Sequence, residues 1–431
     1  MAVSGRLAVL VMIGAVAVVL EPTRRTVLLW VLVALAVTVL DMLLAVSPTR
    51  LRIEREPVAQ VRLGQPGSSS LLVTNPSRRS LYAVVRDAWQ PSAGASGDRH
   101  TVRIKGGERR RLTTPLLPTR RGDRQADRVT VRSFGPLRVG ARQRSLDIPG
   151  SIRALPPFDS RKHLPSRLAT LRQLDGRSAV RIRGQGTEFD SLRDYVEGDD
   201  VRSIDWRATA RRSTVVVRTW QPERDRRVIL LLDTSRTSAG RVGDQPRLDA
   251  AMDAALLLAA LASRAGDRVD FLAGDRWIRA RVTAASGRTA LLGDLVQAMA
   301  PLDPALLEAS WPTLTSAITD TSRRRSLVVL LTPLEPAAIH ESLLPSLATL
   351  THHHRVVLAS VSDPALDAMA RERETSHQVY DAAAAERTLA VRERTAAMLG
   401  RLGVDVIDAP PDQLPPRLAD HYLLLKSRGL L

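Results

Sequence analysis

Two apolar runs open the chain. The first covers residues 7–20 and the second covers 26–46, where Asp41 is the only charged residue. The short segment between them contains Pro22, which stops a helix. A helix that spans a membrane needs about 17 to 25 apolar residues. The second run has this length, and the first reaches it if the helix begins near the amino terminus. The pattern therefore predicts a transmembrane helical hairpin.

A cleaved signal peptide is the alternative interpretation of the first run. The run lacks a small-residue cleavage site, and a second apolar segment follows at once, so the hairpin is favoured. Arg50, Arg52 and Arg55 follow the second run, whereas Arg24 and Arg25 lie in the turn. Because basic residues remain on the cytoplasmic side, the larger group predicts cytoplasmic soluble domains. We expect a multi-pass protein of the cell membrane with two helices.

The pattern changes to short strands after residue 50. Apolar and polar residues alternate over 58–64 and 101–104, the period of a half-buried strand. Further strands fit residues 71–76, 83–88, 111–117 and 128–133. Clusters of Gly, Pro and Ser separate them. This spacing predicts a small antiparallel β-sandwich-like domain, and nothing in it points to catalysis.

Strand–helix units repeat in the last part of the chain. Continuous apolar runs at 228–232 and 327–331 are typical of central parallel strands. Residues 248–265 carry apolar positions at helical spacing. The alternation predicts a doubly wound α/β sheet, which binds ligands at the carboxyl ends of its strands.

The patterns together predict a multidomain protein with four parts. Residues 1–50 form the transmembrane helical hairpin, 51–155 the β-sandwich-like domain, 156–226 a linker helix with a signature segment, and 227–431 the α/β domain.

The signature segment, residues 186–211, is dense in acidic, basic and aromatic side chains. We single out Glu188, Asp190, Arg193, Tyr195, Gly198, Asp199, Asp205, Trp206 and Arg211. Clustered carboxylates can bind a metal or transfer protons, so a hydrolase is one hypothesis. The equal supply of Arg and the absence of His favour another hypothesis, in which paired charges and aromatic side chains lock an irregular segment against a domain.

A second candidate site follows the first buried strand of the α/β domain. Asp233, Ser235 and Thr237 stand at alternate positions there. A carboxylate followed by hydroxyls directs oxygen ligands toward one point, and Mg²⁺ prefers such ligands while keeping some waters. An acidic side chain of a partner can displace one of these waters, which makes the metal a docking point. N-capping of the following segment is the alternative role.

Composition restricts the functional classes. The chain has no cysteine, which excludes a disulfide scaffold, thiol catalysis and Cys-ligated zinc. Its net charge is +18, and only three of its 63 basic residues are lysines. A surface this basic attracts anionic lipid or nucleic acid. Aromatic residues are 3% and no nucleic-acid-binding motif is present, so no nucleic acid is expected as a partner. The sequence also lacks a phosphate-binding loop for ATP.

These motifs carry a family resemblance. The sequence Asp233-x-Ser235-x-Thr237 looks like the metal-ion-dependent adhesion site of von Willebrand factor A domains. The signature segment followed by residues 215–218 resembles bacterial proteins of the domain of unknown function 58 family, and the likeness extends over the whole chain. It implies a membrane protein associated with AAA+ ATPases of the MoxR type, in assembly, maturation or remodelling of other proteins.

The chain departs from the adhesion-site pattern at two places, and at a third it offers only a candidate. Thr237 stands where the pattern has Ser, and a Thr expected in a later loop has Thr289 as its candidate. The pattern also has an Asp after the second buried strand, where this chain has Thr332 and, three residues later, Glu335. The predicted site for Mg²⁺ is therefore incomplete.

We accordingly expect a membrane-anchored protein-interaction or assembly factor that is not an enzyme. Its suspected partners are a MoxR-type AAA+ ATPase and a client protein. The alternatives are a structural envelope scaffold without metal, and a hydrolase that uses the signature carboxylates.

Overall fold

The structure is a computed structural model of the chain. It describes residues 2–181, 188–221, 226–283 and 290–431, and it describes side chains outside 1–3, 175–191, 219–225 and 284–289. The chain folds as two compact units, Met1–Pro156 and Pro157–Leu431. Each unit is described by itself.

The first unit begins with two apolar helices, α1 (Gly5–Leu20) and α2 (Arg24–Leu44). They contact each other where Gly14 lies against Trp30; a Cβ on that glycine would stand 3.4 Å from the indole ring. Within the described part of the chain, one helical stretch, Arg24–Arg50, is long and apolar enough to cross a membrane, and α1 is shorter than that. Most large apolar side chains of both helices are exposed.

The middle of the chain is rich in β-structure, as predicted. Its strands, together with a short strand that precedes α1, are β1 (Ala2–Val3), β2 (Arg52–Arg55), β3 (Val61–Arg62), β4 (Gly67–Thr74), β5 (Leu81–Trp89), β6 (Arg99–Ile104), β7 (Arg109–Leu116), β8 (Gly122–Phe134), β9 (Gly140–Leu146) and β10 (Ser151–Leu155). One sheet has seven strands and the other has the order β2–β4–β7.

Side chains from the two sheets share one core. Leu71 and Val73 of β4 pack in the same buried cluster as Val85 of β5 and Val131 of β8. Each of these strands alternates buried and exposed residues, the pattern of a sheet with one solvated face. Strands β2, β9 and β10 had no sequence prediction, and β9 in particular exposes four successive residues after its first two.

The second unit combines helices and strands. Its first elements are α3 (Leu164–Arg181), β11 (Glu188–Asp194), α4 (Trp206–Arg212), β12 (Val216–Gln221), β13 (Arg227–Asp233), β14 (Arg241–Val242), β15 (Gln245–Pro246), α5 (Arg247–Arg264), β16 (Arg268–Gly274), β17 (Ile278–Val282) and α6 (Leu291–Met299). Then follow α7 (Trp311–Thr321), β18 (Leu327–Leu331), α8 (Pro336–Ala338), α9 (Leu344–His353), β19 (Arg355–Val361), α10 (Pro364–Met369), α11 (Ser376–Arg401), β20 (Val404–Ala409) and α12 (Leu414–Ser427).

Six of these strands form a sheet in the order β17–β16–β13–β18–β19–β20. All pairs are parallel except β16 with the edge strand β17. The central strands β13 and β18 are almost wholly buried, which explains their continuous apolar sequences. From β13 the chain builds outward first toward β17 and then, from β18, toward β20. The direction of building therefore reverses between β13 and β18.

Helices cover both faces of this sheet. Residues of α7, α9 and α11 form one core with Ile229 and Leu231 of β13. Because successive strand residues point to opposite faces, the intervening Leu230 faces the other side, where α5 contacts the sheet and α12 packs on α5. Helix α5 is buried along most of its length, as its Ala- and Leu-rich sequence requires.

Candidate functional site

The candidate site lies at the carboxyl edge of the six-stranded sheet and is centred on Asp233, the last residue of β13. This side chain is 2% exposed. One carboxylate oxygen, Oδ1, accepts the backbone N–H of Ser235 at 2.8 Å. The other, Oδ2, accepts the hydroxyls of Thr237 at 3.2 Å and Thr332 at 2.7 Å. The hydroxyl oxygens of Ser235 and Thr237 are 3.0 Å apart. We call Asp233, Ser235, Thr237 and Thr332 the edge site.

The strand order explains why these residues meet. Thr332 follows β18 directly, and β18 pairs with β13 in parallel, so both carboxyl ends reach the same edge. Consecutive connections leave in opposite directions at this point, and sheets of this kind commonly bind ligands at such points. The sequence correctly grouped Asp233, Ser235 and Thr237. It marked the position of Thr332 only as one that lacks a carboxylate, whereas the structure gives its hydroxyl a bond to Asp233.

Burial controls the charge of Asp233. Removal from water raises the pKa of its carboxyl, and the hydrogen bonds from Thr332, Ser235 and Thr237 oppose that rise without cancelling it. These donors therefore favour the ionised form of the carboxyl, against the effect of burial. Losing one hydroxyl donor would raise the pKa further.

The edge site fits a divalent cation poorly. It offers one carboxylate and three hydroxyls, and affinity for Mg²⁺ in proteins depends on the charge of carboxylate ligands. Glu335 is exposed at the start of α8 and does not supply the missing carboxylate. In the described part of the chain, no group of three or more His, Asp or Glu side chains is placed to hold a metal. The remaining candidate, Thr289, lies outside the described residues.

A second buried carboxylate, Asp275, supports the loop that follows β13. Its Oδ2 accepts the hydroxyl of Thr234 at 3.0 Å and Nε of Arg279 at 2.9 Å, and Oδ1 accepts the backbone N–H of Arg276 at 2.6 Å. Burial acts to raise the pKa of Asp275, but these hydrogen bonds outweigh it and the pKa is lowered. Sequence reasoning missed this residue because nothing marks it before the fold brings it to Thr234.

The signature segment places its described carboxylates in separate local contacts. Asp199 accepts Nη2 of Arg193 at 2.6 Å and the N–H of Val196 at 3.0 Å. Asp205 caps α4 through two backbone N–H groups and accepts Nε of Arg218 at 2.8 Å. These contacts lower the pKa of both carboxyls: the Arg193 hydrogen bond dominates at Asp199, and the N–H of Ala208 dominates at Asp205.

Among the remaining signature residues whose side chains the structure describes, none donates a hydrogen bond to these carboxylates. Gly198 has a φ of 104°, which only glycine adopts easily. Arg211 is exposed on α4. Glu188 and Asp190 lie on β11, and their side chains are outside the described set. The prediction that aromatic residues lock the segment is wrong for Trp206 and Tyr195, which are 66% and 37% exposed.

Comparison with known proteins gives a match for the second half of the chain. Residues 191–397 match the model of a family described as "Protein of unknown function DUF58". An uncharacterized protein of Mycobacterium bovis and two of Mycobacterium tuberculosis are each 29% identical over 187 residues. The match covers 42% of this chain and 57% of each relative, so the chain spans little more than half the length of these proteins.

Solved structures give weaker likenesses. The match to the PapD-like domain 7 of human CEP192 covers 25% of this chain and 92% of that domain, with 13% identity and a TM-score of 0.19. The match to trypsin-activated alpha-2-macroglobulin from Escherichia coli covers 63% of this chain and 17% of that protein, with 13% identity and a TM-score of 0.21. Scores this low carry no argument about fold or function. The expected family resemblance is thus confirmed for part of the chain: residues 191–397 match the DUF58 family, of unknown function.

Proposed function

We propose that this protein is a membrane-anchored interaction or assembly factor. In this proposal α1 and α2 insert as a transmembrane hairpin, and the soluble units lie in the cytoplasm. The second unit acts as a von Willebrand factor A-like domain that docks a partner at its edge site. The apolar stretch Arg24–Arg50 supports the anchor, and the sheet order with its buried Asp233 supports the docking domain.

One observation carries the proposal. The hydrogen bond from Thr332 to Asp233 joins the ends of β13 and β18, the two strands between which the direction of chain building reverses. Polar side chains at such a point are favourably placed for binding because the flanking loops diverge and leave a crevice. The edge site also has donors on its supporting loop, which hold Asp233 before any partner arrives.

The proposed docking does not require a metal ion. The described edge site supplies a single carboxylate and no cluster of acidic ligands, so we assign recognition to the edge site itself and to the loops around it. Hydroxyl groups suit this role because each both donates and accepts a hydrogen bond. A partner group can therefore bind through rotation of the Thr237 hydroxyl, which is partly exposed, whereas Ser235 is buried.

The family resemblance suggests the partner. Proteins of the domain of unknown function 58 family are similar to this chain in residues 191–397, and the resemblance implies a MoxR-type AAA+ ATPase acting on a client protein. This chain has no phosphate-binding loop for ATP in its sequence. ATP hydrolysis would therefore come from the partner, and the membrane-anchored chain would position that partner.

The test is a pull-down of the full chain from native membranes, with and without a Mg²⁺ chelator. Asp233→Asn removes the charge while retaining the volume. Asp405→Asn is the matched control, because Asp405 lies near the opposite, amino-terminal edge of the sheet on β20. Loss of an AAA+ ATPase or client with Asp233→Asn alone, and no effect of the chelator, supports metal-free docking.

Other outcomes would separate the competing functions. Loss of the partner on chelation as well would assign a metal to the edge site. The same partners with wild type and Asp233→Asn would favour the scaffold, in which the edge site has no binding role. The hydrolase is disfavoured because Asp199 and Asp205 are each held by an arginine and by local backbone N–H groups.

A further inference from the structure

The turn between β8 and β9, residues 135–139, is fixed to the end of α2. Asp41 of α2 is 1% exposed, and its carboxylate accepts three backbone N–H groups from this region. The donors are Leu137 at 2.8 Å, Val139 at 2.8 Å and Gly140 at 3.0 Å. A carboxylate that accepts several N–H groups holds a turn in one conformation.

The same turn also contacts the beginning of α1. The N–H of Ser4 donates to the carbonyl of Val139 at 3.0 Å, and its hydroxyl donates to the carbonyl of Arg138. Arg6 donates from Nη1 to the carbonyl of Leu137 at 3.1 Å. The turn therefore lies where both helices reach the β-rich region. If the helices span a bilayer, this position is the boundary between hydrocarbon and water.

Arg138 has an unusual backbone conformation in this turn. Its φ is 58°, in the left-handed region where an ordinary residue is strained and glycine is not. The hydrogen bonds of its neighbours to Asp41 hold it there. Strained residues that the surroundings force into place are found disproportionately at functional sites. The strain here displays an exposed guanidinium beside the helix ends.

The guanidinium groups of Arg138 and Arg103 both lie over one aromatic ring, that of Tyr82. Tyr82 of β5 lies directly opposite Arg103 of β6, and the guanidinium carbons of Arg103 and Arg138 stand 5.1 and 4.8 Å from the centre of its ring. Within the part of the chain that the structure describes, neither guanidinium has a carboxylate in ion-pair distance. Two uncompensated cations thus meet at the end of the β-sheet nearest the helices.

The charge of the surrounding region has the same sign. Residues 51–156 contain 21 Lys and Arg against eight Asp and Glu, which accounts for most of the net charge of +18. A region this basic next to an apolar helix pair is attracted to an anionic bilayer surface, and a tyrosine suits the headgroup level. Guanidinium groups bind phosphate oxygens with paired N–H donors.

We propose that Arg103, Arg138 and Tyr82 form a binding site for the headgroup phosphate of an anionic phospholipid. The site rests on the proposed membrane anchor, since only inserted helices bring it to the headgroup layer. Lipid is favoured over nucleic acid because the site adjoins the helix ends and contains one aromatic ring, whereas single-stranded nucleic acid needs a row of stacking rings along a basic groove. Bound lipid would fix the height of the β-rich unit above the bilayer.

The test uses the full chain in detergent micelles mixed with phosphatidylglycerol or phosphatidylcholine, with retained lipid counted by native mass spectrometry. Wild type should retain phosphatidylglycerol in preference to phosphatidylcholine. The double variant Arg103→Gln, Arg138→Gln should bind it about thirtyfold more weakly, the effect expected for two basic residues near an anionic surface. Inorganic phosphate and a single-stranded oligonucleotide serve as competitors, which separate a lipid site from a general phosphate or nucleic-acid site.

A matched double variant controls for charge. Arg99→Gln with Arg144→Gln removes two exposed arginines that lie about 13 Å farther from the turn, at 3.4 Å per strand residue. It should retain the lipid preference. Equal losses in the two double variants would overturn the site, since the attraction would then be general. Loss of the retained phosphatidylglycerol on addition of the oligonucleotide would overturn the choice of lipid.

A single substitution separates lipid binding from folding. Arg138→Gly relieves the backbone strain, so it should keep or raise the unfolding temperature while it weakens lipid retention. If Arg138→Gly kept both its unfolding temperature and its lipid retention, Arg138 would have no role in lipid binding. Alkaline extraction of membranes tests the anchor independently: if wild type is released without detergent, the proposed anchor fails, whereas retained protein without lipid preference overturns only the headgroup site.

Discussion

Replacing Asp253 with asparagine should stabilise the second unit at alkaline pH and destabilise it in acid. Asp253 lies on the buried helix α5, where Oδ1 accepts the hydroxyl of Ser160 at 2.7 Å and Oδ2 accepts the N–H of Ser160 at 3.1 Å. Burial raises the pKa of this carboxyl from 3.8 to about 6, against the opposing hydrogen bonds from Ser160. The residue therefore joins the turn before α3 to α5 through a carboxylate that prefers to be neutral.

The sign follows from the raised pKa. The folded protein binds the proton more tightly than the unfolded chain, so the stabilisation is complete below the unfolded pKa and is lost as the pH rises through about 6. Above pH 7 the ionised form costs about 3 kcal/mol relative to the protonated form. Asparagine removes this cost but keeps only one acceptor for Ser160, and the lost hydrogen bond costs about 1 kcal/mol. We expect Asp253→Asn to gain about 2 kcal/mol near pH 8 and to lose about 1 kcal/mol near pH 4.

Hydrogen exchange of the α5 backbone in the full chain measures this difference locally. Peptides from Arg247–Arg264 should exchange more slowly in Asp253→Asn than in wild type near pH 8 and faster near pH 4, after correction for intrinsic rates. Ser160→Ala is the complementary variant, because it removes a donor to the carboxylate and should steepen the pH dependence. Equal destabilisation by Asp253→Asn at both pH values would refute the reasoning, since hydrogen bonding and not charge would then decide the effect.

Three further substitutions test the contacts that organise the two units. Asp41→Leu should lower the stability of the first unit by about 3 kcal/mol or more, because three backbone N–H groups lose their acceptor; thermal unfolding in micelles measures it, and an unchanged midpoint would contradict the anchoring role. Tyr422→Phe should cost about 1–3 kcal/mol in chemical unfolding of the second unit, because the buried Asp267 loses the hydroxyl that donates to it at 2.5 Å; an unchanged stability would mean that the hydrogen bond from Lys426 is enough for Asp267. Thr332→Val should raise the pKa of Asp233 further, because the carboxyl loses a hydroxyl donor. The second unit should lose about 1–2 kcal/mol of unfolding free energy at neutral pH and less in acid, which chemical unfolding at two pH values measures. A loss of stability that does not depend on pH would show that the substitution acts through packing and not through charge.

The sequence predicted the strands in which almost every residue is buried. Strands β13 and β18 are buried on both faces, so a continuous apolar run was enough to identify them. The same argument placed Asp233 at the carboxyl edge, because a polar residue directly after such a strand must lie there. Loop-to-loop contacts were not predictable. The bonds to Asp233 from Thr332 and to Asp275 from Thr234 join residues 99 and 41 positions apart.

Strands in basic surroundings were harder to recognise. Strand β9 exposes Arg142, Gln143 and Arg144 in succession, so its sequence lacks the alternation that marks a half-buried strand. It is held by backbone pairing to β8 and to β1, which no local pattern encodes. Trp206 was misjudged for the opposite reason: an aromatic residue was assumed to be buried, whereas the short helix α4 leaves it exposed.

Asp41 and Asp233 both bury a carboxylate without a cation, but their donors differ in kind. Asp41 accepts three backbone N–H groups, whose directions are fixed by the turn, so the contact is a permanent clamp. Asp233 accepts one N–H group and two hydroxyls, and a hydroxyl can rotate to another acceptor. Rotation of Thr237 toward a bound partner would remove one donor from Asp233, so the edge site can exchange a hydrogen bond with a partner, whereas the backbone donors of Asp41 cannot turn away.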